Sequence, residues 1–194
     1  MKPPAMPPTP ILETEHLWLR PKCLADSAAT DVIFPNWNIV QFMPNVPWPY
    51  PQGSTLEHYQ TALAEMSQGL KSHWSLFLKG GPDTTIGSIS LWPDDGLERD
   101  MRGFWLDPHF QGRGLITQAA DRVNDYGLFE LHWPLLWLSN LVGNERSAKV
   151  KLRQGAELVG EDTRSYLRGT FTRQVWRLTQ DAWKERRRPS YPAE

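Results

Sequence analysis

Cysteine is almost missing from this chain. Cys23 stands alone among 194 residues, which excludes an intramolecular disulfide framework and a cysteine-rich zinc site and suits a reducing cytoplasm. An excess of one charge is missing too. Lys and Arg number 21 against 22 Asp and Glu, a formal net charge of −1, so nothing global draws the chain to nucleic acid or to a membrane surface. No apolar run approaches the ~20 residues of a transmembrane helix. The amino-terminal segment carries prolines where a signal peptide would carry its apolar core. No repeat and no break in composition marks a second domain, and the length suits one domain with a real core. What the chain has in quantity is tryptophan, 10 residues. Buried tryptophans are core mass, whereas those in loops often line ligand surfaces.

The domain is expected over residues 11–183. Residues 1–10 are proline-rich and expected to be disordered or extended. Residues 184–194, with Arg186-Arg187-Arg188 beside prolines, read as a flexible, solvated tail.

One stretch organises the rest: Phe104-Trp105-Leu106-Asp107-Pro108-His109-Phe110-Gln111-Gly112-Arg113-Gly114-Leu115-Ile116-Thr117. It reads as a strand, a turn at Asp107-Pro108, a glycine-containing loop and a helix start. Such a junction presents free backbone N–H groups to an anion. Gly112 and Gly114 allow close backbone approach, Arg113 adds positive charge and Gln111 adds amide donors. The physics points to a phosphate-bearing ligand, with the pyrophosphate of a cofactor a good candidate; the plainer alternative is an ordinary strand-to-helix turn. No Gly-Lys-Ser/Thr follows the glycines, so it is not a Walker A loop, and it lacks the three spaced glycines of a dinucleotide-binding turn.

The remaining elements follow from pattern. Leu17–Pro21 reads as a first strand, and Asp26–Phe34 as a helix with Asp26 as N-cap. Residues 35–53 are dense in Pro, Asn and aromatics, including Trp37, Phe42, Trp48 and Tyr50; they form either a self-packed loop or a substrate-facing wall. Leu56, Tyr59, Leu63 and Met66 recur at helical spacing. Strands are expected at Trp74–Leu78 and Thr85–Leu91 around a Gly-Gly-Pro-Asp turn, at Met101–Leu106, and at Leu135–Leu138. An amphipathic helix is expected from Thr117 to Phe129. Asn144 is a good N-cap and Gly155 a good C′ residue for a short helix between them. Glu157–Gly160 and Arg173–Leu178 read as a closing hairpin, joined by a long polar linker over residues 162–169, before a short helix from Asp181 to Arg188.

Three segments resemble the GNAT-fold N-acetyltransferases. Gln111-x-x-Gly114-x-Ile116 resembles their Gln/Arg-x-x-Gly-x-Gly/Ala loop, departing at Ile116. Asn144-Glu145-Arg146-Ser147, ending Lys151-Leu152-Arg153-Gln154-Gly155-Ala156, resembles their Asn-x-x-Ser segment, departing at Ala156. Leu12-x-Thr14-Glu15-x-Leu17-x-Leu19-Arg20-Pro21 resembles the opening of the RimJ/RimL type. The resemblance implies an α/β (α+β mixed-sheet) fold: a mostly antiparallel central sheet flanked by helices. Its strands four and five, here Met101–Asp107 and Leu135–Asn140, splay around the coenzyme. It implies an acetyl-CoA-dependent N-acetyltransferase acting on a primary amine: a protein α-amine, an amino acid or another small amine. The partners are then acetyl-CoA and that amine, with no metal, nucleic acid or membrane, in a cytoplasmic monomer or homodimer.

By the same resemblance the coenzyme is held by Gln111, Gly112, Arg113, Gly114, Leu115, Ile116 and Thr117, by backbone groups at Trp105 and Leu106, and by Asn144, which otherwise only caps its helix. Trp37 and Trp48 fall in the region of the variable acceptor site. Many relatives place a tyrosine acid where this chain has Lys151; RimL-like relatives offer the serine, here Ser147, as proton donor. Its plain alternative is a first-turn serine bonded to backbone. The strand-four glutamate of many relatives is replaced by Met101, leaving Asp100, Asp107 and His109 as the neighbouring titratable groups. The missing tyrosine and glutamate also fit a non-catalytic acyl-CoA-binding or sensory module.

Overall fold

A computed structural model describes residues 5–187. Five strands form one antiparallel sheet in chain order: β1 (Leu12–Glu13), β2 (Leu17–Pro21), β3 (Ser72–Leu78), β4 (Thr85–Leu91) and β5 (Arg102–Leu106). Three more, β6 (Leu135–Leu141), β7 (Glu157–Tyr166) and β8 (Gly169–Thr179), form a second antiparallel sheet in the order β6-β8-β7. Helices α1 (Ser27–Ile33), α2 (Trp37–Val40) and α3 (Ser54–Ser67) lie between β2 and β3 in the chain, α4 (Leu115–Asp125) between β5 and β6, and α5 (Glu145–Arg153) between β6 and β7; α6 (Gln180–Arg187) follows β8. This is the mixed, antiparallel, helix-flanked architecture that the resemblance implies. The expected strands four and five are β5 and β6, the short β1 adding one to the count.

The core explains the layering. Trp74, Leu76, Ile89 and Leu91 pack with Ala119, Ala120 and Val123 of α4, and with Leu136, Leu138 and Leu178 of the second sheet. Small residues on α4 let the helix lie close to the strands. The opposite face of β3 is polar and buried. His73 there meets Glu65 of α3 at 2.8 Å through Nε2 and Ser90 Oγ at 2.7 Å through Nδ1, which satisfies a polar group that burial would otherwise penalise.

The two sheets touch at one end and part at the other. Met101 N donates to Trp137 O at 2.8 Å, and Trp137 N approaches Met101 Sδ at 3.2 Å. Beyond that join β5 and β6 belong to different sheets, which leaves an edge of each open.

Three expectations need correction. Residues 5–10 are not loose: Met6 is buried, its N–H donates to Gly69 O at 2.8 Å, and Pro10 O accepts from Trp74 Nε1 at 2.7 Å. An extended proline-rich segment keeps free carbonyls that such donors can use. Residues 1–4 lie outside the described residues. At the other end, the short helix expected from Asp181 is present as α6, so 184–187 are not a loose tail: its buried Trp183 donates to Asp125 Oδ1 at 2.8 Å, while Arg187 pairs with Asp125 Oδ2 at 2.7 Å. Arg188 onward lies outside the described residues. Finally, the polar linker over 162–169 is strand up to Tyr166, with the turn at Leu167-Arg168. From Asp162 on, β7 half-buries Asp162, Arg164 and Tyr166 on one face and exposes the other, so its inward residues are mostly polar and give no apolar alternation to read; cross-strand pairs such as Arg173 Nε to Asp162 Oδ1 at 2.6 Å hold it instead. Among the described residues no helix is long and apolar enough to cross a membrane.

Candidate active site

The loop from β5 to α4 is shaped by its own short side chains. Asp107 Oδ1 accepts from His109 N at 2.9 Å and meets His109 Nδ1 at 2.8 Å, fixing a single 3-10 turn over Pro108–Phe110. Gly112 and Gly114 then take left-handed dihedrals, φ +78° and +75°. A Cβ at either would meet no heavy atom within 4 Å, so the backbone angle alone demands glycine. Gly114 caps α4, whose first bond runs from Gln118 N to Gly114 O at 3.0 Å. Among the described residues the backbone N–H groups of Gly112 to Thr117 have no acceptor. They form a row of donors at the positive end of the helix. Buried Leu115 and half-buried Ile116 anchor the first turn in the core.

Gln111 braces this loop. Its Nε2 donates to Leu106 O at 2.9 Å, and its Oε1 accepts from Arg146 Nη1 at the start of α5. The amide thus joins the end of β5 to α5 and holds the Arg146 guanidinium beside the donor row. Arg113 bends back to His109 O at 3.0 Å and over the Phe110 ring.

On β5, Trp92 N donates to Met101 O at 3.0 Å and Asp107 N to Ile86 O at 2.8 Å. With the register Ser88↔Trp105 and Ile89↔Phe104, antiparallel alternation turns the backbone of Trp105 toward β4 and that of Phe104 and Leu106 toward the opened edge. The Trp105 indole lies on the other face of the sheet, edge-on to Phe34 at 5.2 Å. Leu106 is therefore at the gap by its backbone, while Trp105 joins the aromatic side of the site by its ring.

Asn144 caps α5, accepting from Ser147 N at 3.2 Å. The Ser147 hydroxyl does not serve the backbone: Lys151 Nζ donates to its Oγ at 2.7 Å. Lys151 is 2% exposed. Burial, then the charge of Arg102, push it down to about 7, opposed by Asp100. Burial lifts Asp100 itself to about 6, and its Oδ1 is shut from solvent without a partner. Arg102, buried on β5, donates to Asn124 Oδ1 of α4 and to Gln154 Oε1 at 3.0 Å, just beyond α5; Gln154 Nε2 donates to Asp121 Oδ1 at 2.7 Å. A polar spine thus runs under the site from α4 through β5 to α5.

On the far side, α2 begins at an Asn36 cap. Phe34, Ile39 and Val40 form a second small core with Tyr50 and Trp105 around them. Trp37 and Trp48 stand out of it, 45% and 41% exposed, with ring centroids 5.2 Å apart. Arg168, at the β7–β8 turn, holds this segment: its Nη2 donates to Val40 O at 2.7 Å, Met43 O at 3.1 Å and Gln41 O at 3.2 Å, with its guanidinium 5.1 Å from the Trp37 ring.

The structure therefore gathers residues 111–117, Leu106, Asn144 and Ser147 at the open end of the β5–β6 gap, and sets Trp37 and Trp48 on a separate aromatic wall. Asp107 and His109 belong to the turn; His109 is almost wholly exposed. Arg146, Arg168 and the partner of Lys151 escaped the sequence reading. Arg146 and Arg168 act through contacts between segments far apart in the chain, whereas Lys151 meets Ser147 one turn back in the same helix.

Comparison with known proteins agrees with this fold. The family model described as "Acetyltransferase (GNAT) domain" matches residues 16–157. A Bacillus subtilis (strain 168) protein, YdaF, named as a ribosomal N-acetyltransferase, is 36% identical over 70 residues, which is 36% of this chain and 38% of that protein. Among solved structures, a GNAT-family acetyltransferase from Bacillus anthracis aligns with a TM-score of 0.74 at 15% identity, covering 89% of this chain and 99% of that one. RimL, a ribosomal L7/L12 α-N-protein acetyltransferase solved with coenzyme A, aligns with a TM-score of 0.73 at 19% identity over 89% and 99%.

Proposed function

Since the chain belongs to the acetyltransferase (GNAT) domain family, we propose that it carries an acetyl group from acetyl-CoA to a primary amine, with a protein or peptide α-amine as the favoured acceptor. The observation that carries this reading is the row of unpartnered N–H groups from Gly112 to Thr117 beside an open strand edge. The residues fit the coenzyme. The donor row, Arg113 and Arg146 suit a pyrophosphate, and the outward backbone groups of Phe104 and Leu106 suit the amides of a pantetheine arm. Acetyl-CoA supplies an acetyl group activated as a thioester.

The chain's part is to fix that group, admit a neutral amine and return a proton to the sulfur. Ser147, half-buried at the start of α5 with its hydroxyl free of the backbone, is the proton donor. Trp37 and Trp48 form the acceptor wall. Their rings offer apolar contact and no charge of their own, which suits an α-amine, part of which is neutral near pH 7, better than a lysine amine that is almost wholly charged there. RimL acts on an α-amine, and its fold likeness is consistent with this choice. The single exposed thiol of Cys23 fits a reducing cytoplasm.

The test is release of coenzyme thiol from acetyl-CoA over a panel of peptides, amino acids, polyamines and aminoglycosides. Peptides with free α-amines should turn over fastest. Tight acetyl-CoA binding without turnover of any amine would overturn the catalytic reading.

A further inference from the structure

We propose that Lys151 is a positioning residue that feeds Ser147 the proton which Ser147 passes to the departing sulfur. This rests on Ser147 facing the thioester, as read above.

The geometry assigns the direction of transfer. A charged lysine has donors and no acceptor, so at the 2.7 Å contact Ser147 Oγ must accept. The hydroxyl hydrogen is thereby turned away from the helix interior, toward the half-exposed side of Ser147. The usual alternative, a hydroxyl bonded to its own helix, is absent among the described residues, and the Ser147 N–H is already held by Asn144. Both hydrogen bonds of the ammonium go to Ser147, to Oγ and, at 3.5 Å, to its carbonyl. The charged groups facing Lys151 are Arg102 of β5 and Asp100 just before it, and Asp100 in turn faces Arg173 of β8. An ammonium enclosed in this way gives up a proton far more readily than one in water, so near neutral pH it is poised as a donor.

The step balances. Ser147 gives its hydroxyl proton to the sulfur as the C–S bond breaks and the bonding pair stays on sulfur, while the acceptor nitrogen bonds to the acetyl carbon. Lys151 returns a proton to Ser147 Oγ. The proton shed by the acceptor nitrogen recharges Lys151 through solvent, so none is gained or lost overall.

The experiment compares wild type, Lys151→Met, Ser147→Ala and the double variant. Lys151→Met should lower kcat by roughly tenfold to a hundredfold with coenzyme affinity in calorimetry unchanged. The double variant should be no worse than the poorer single one, since both break one chain. The wild-type pH profile should fall on its alkaline side as Lys151 loses its proton, and that fall should vanish in both single variants. Lysine-selective NMR of the protein without coenzyme gives a readout apart from activity: the signal lost in Lys151→Met should titrate near neutrality and move in Ser147→Ala. Should Lys151→Met fail to fold, Lys151→Arg, which keeps the buried charge, identifies the same NMR signal by its loss, and the Ser147→Ala profile tests the same relay. An unchanged kcat and alkaline limb in Lys151→Met, multiplicative losses in the double variant, or a Lys151 signal that titrates like a surface lysine would each overturn the proposal. Wild-type protein that turns over no amine would instead refute the acetyltransferase reading itself.

Discussion

Gly114→Val isolates the coenzyme loop from the rest of the molecule. In the free protein the new side chain has room, because a Cβ at this position meets nothing within 4 Å. The cost comes from φ +75°, a left-handed angle that an L residue adopts at a penalty of ~1–2 kcal/mol, higher for a branched side chain. In a domain of this size that lowers Tm by roughly 2–4 °C per kcal/mol, enough to measure and too little to unfold the chain. Relief of the strain means rotating the peptide at the cap of α4, which turns the N–H groups of Leu115 and Ile116 off their common direction. A hydrogen bond to a charged group contributes about 1.5–3 kcal/mol, so losing one from a phosphate weakens binding by roughly 10–150-fold. Gly114→Ala shares the angle without the branch and should fall between. Titration calorimetry with acetyl-CoA and with coenzyme A, beside thermal unfolding of each variant, measures both effects. A folded Gly114→Val protein with wild-type affinity would show that phosphate does not sit on this loop.

Other consequences are as direct. For a matched pair of acceptors differing in amine pKa, kcat/KM on the acid side should follow each amine's own ionisation, favouring an α-amine near 8 over a lysine amine near 10.4; an acid limb near pH 6 common to both would instead reveal an enzyme base, with Asp100, raised to about 6, the first residue to mutate. Arg168→Ala removes the tie to three carbonyls and the cover on Trp37, so acceptor KM should rise several-fold while coenzyme affinity holds; an unchanged KM would detach the 37–50 segment from the acceptor site. For Glu65, burial pushes the carboxyl up, but hydrogen bonds from His73 and Lys71 prevail and hold it at about 2. A depressed carboxyl stabilises the fold above its unfolded value and loses that effect as pH falls through the folded one. On the order of 2 kcal/mol should therefore disappear between about pH 4.5 and 2, and Glu65→Gln should flatten that part of an acid denaturation series.

The parts of the fold that could be read in the sequence were those whose cause is local. The β5–loop–α4 junction announces itself through Asp107-Pro108 and two glycines, and Asn144 through its capping position. The buried strands β3 and β4 are visible as runs between turn residues. What escaped was caused by distance in the chain. β7 is strand because Arg173, Thr172 and their neighbours lie opposite, not because its own residues alternate. Met6 is ordered because Gly69 offers a carbonyl. Gln111 supplies donors, as its side chain suggests, but to Leu106 O and not outward. Lys151 is the exception: its partner Ser147 lies one turn back in the same helix, and what its residue type does not announce is the burial that lowers its pKa.

The junction at Met101 and Trp137 bears on how the molecule opens. Among the described residues one conventional backbone bond and one N–H···S contact, the latter to a weak acceptor, are all that join the strands of the two ladders directly; the sheets otherwise meet through shared core side chains and through Arg164 and Arg173, which reach the β4–β5 connection. In amide exchange the β1–β5 ladder, walled on both faces, should open near the global unfolding free energy, and the more exposed end of the β7–β8 ribbon, around the turn at Leu167-Arg168, well below it. Coenzyme bound along the diverging edges would touch α4 on one side and α5 on the other, acting as a bolt across that seam. At a hundred times Kd it adds about 2.7 kcal/mol, and slowed exchange should then appear in both ladders together, including amides that no ligand atom reaches.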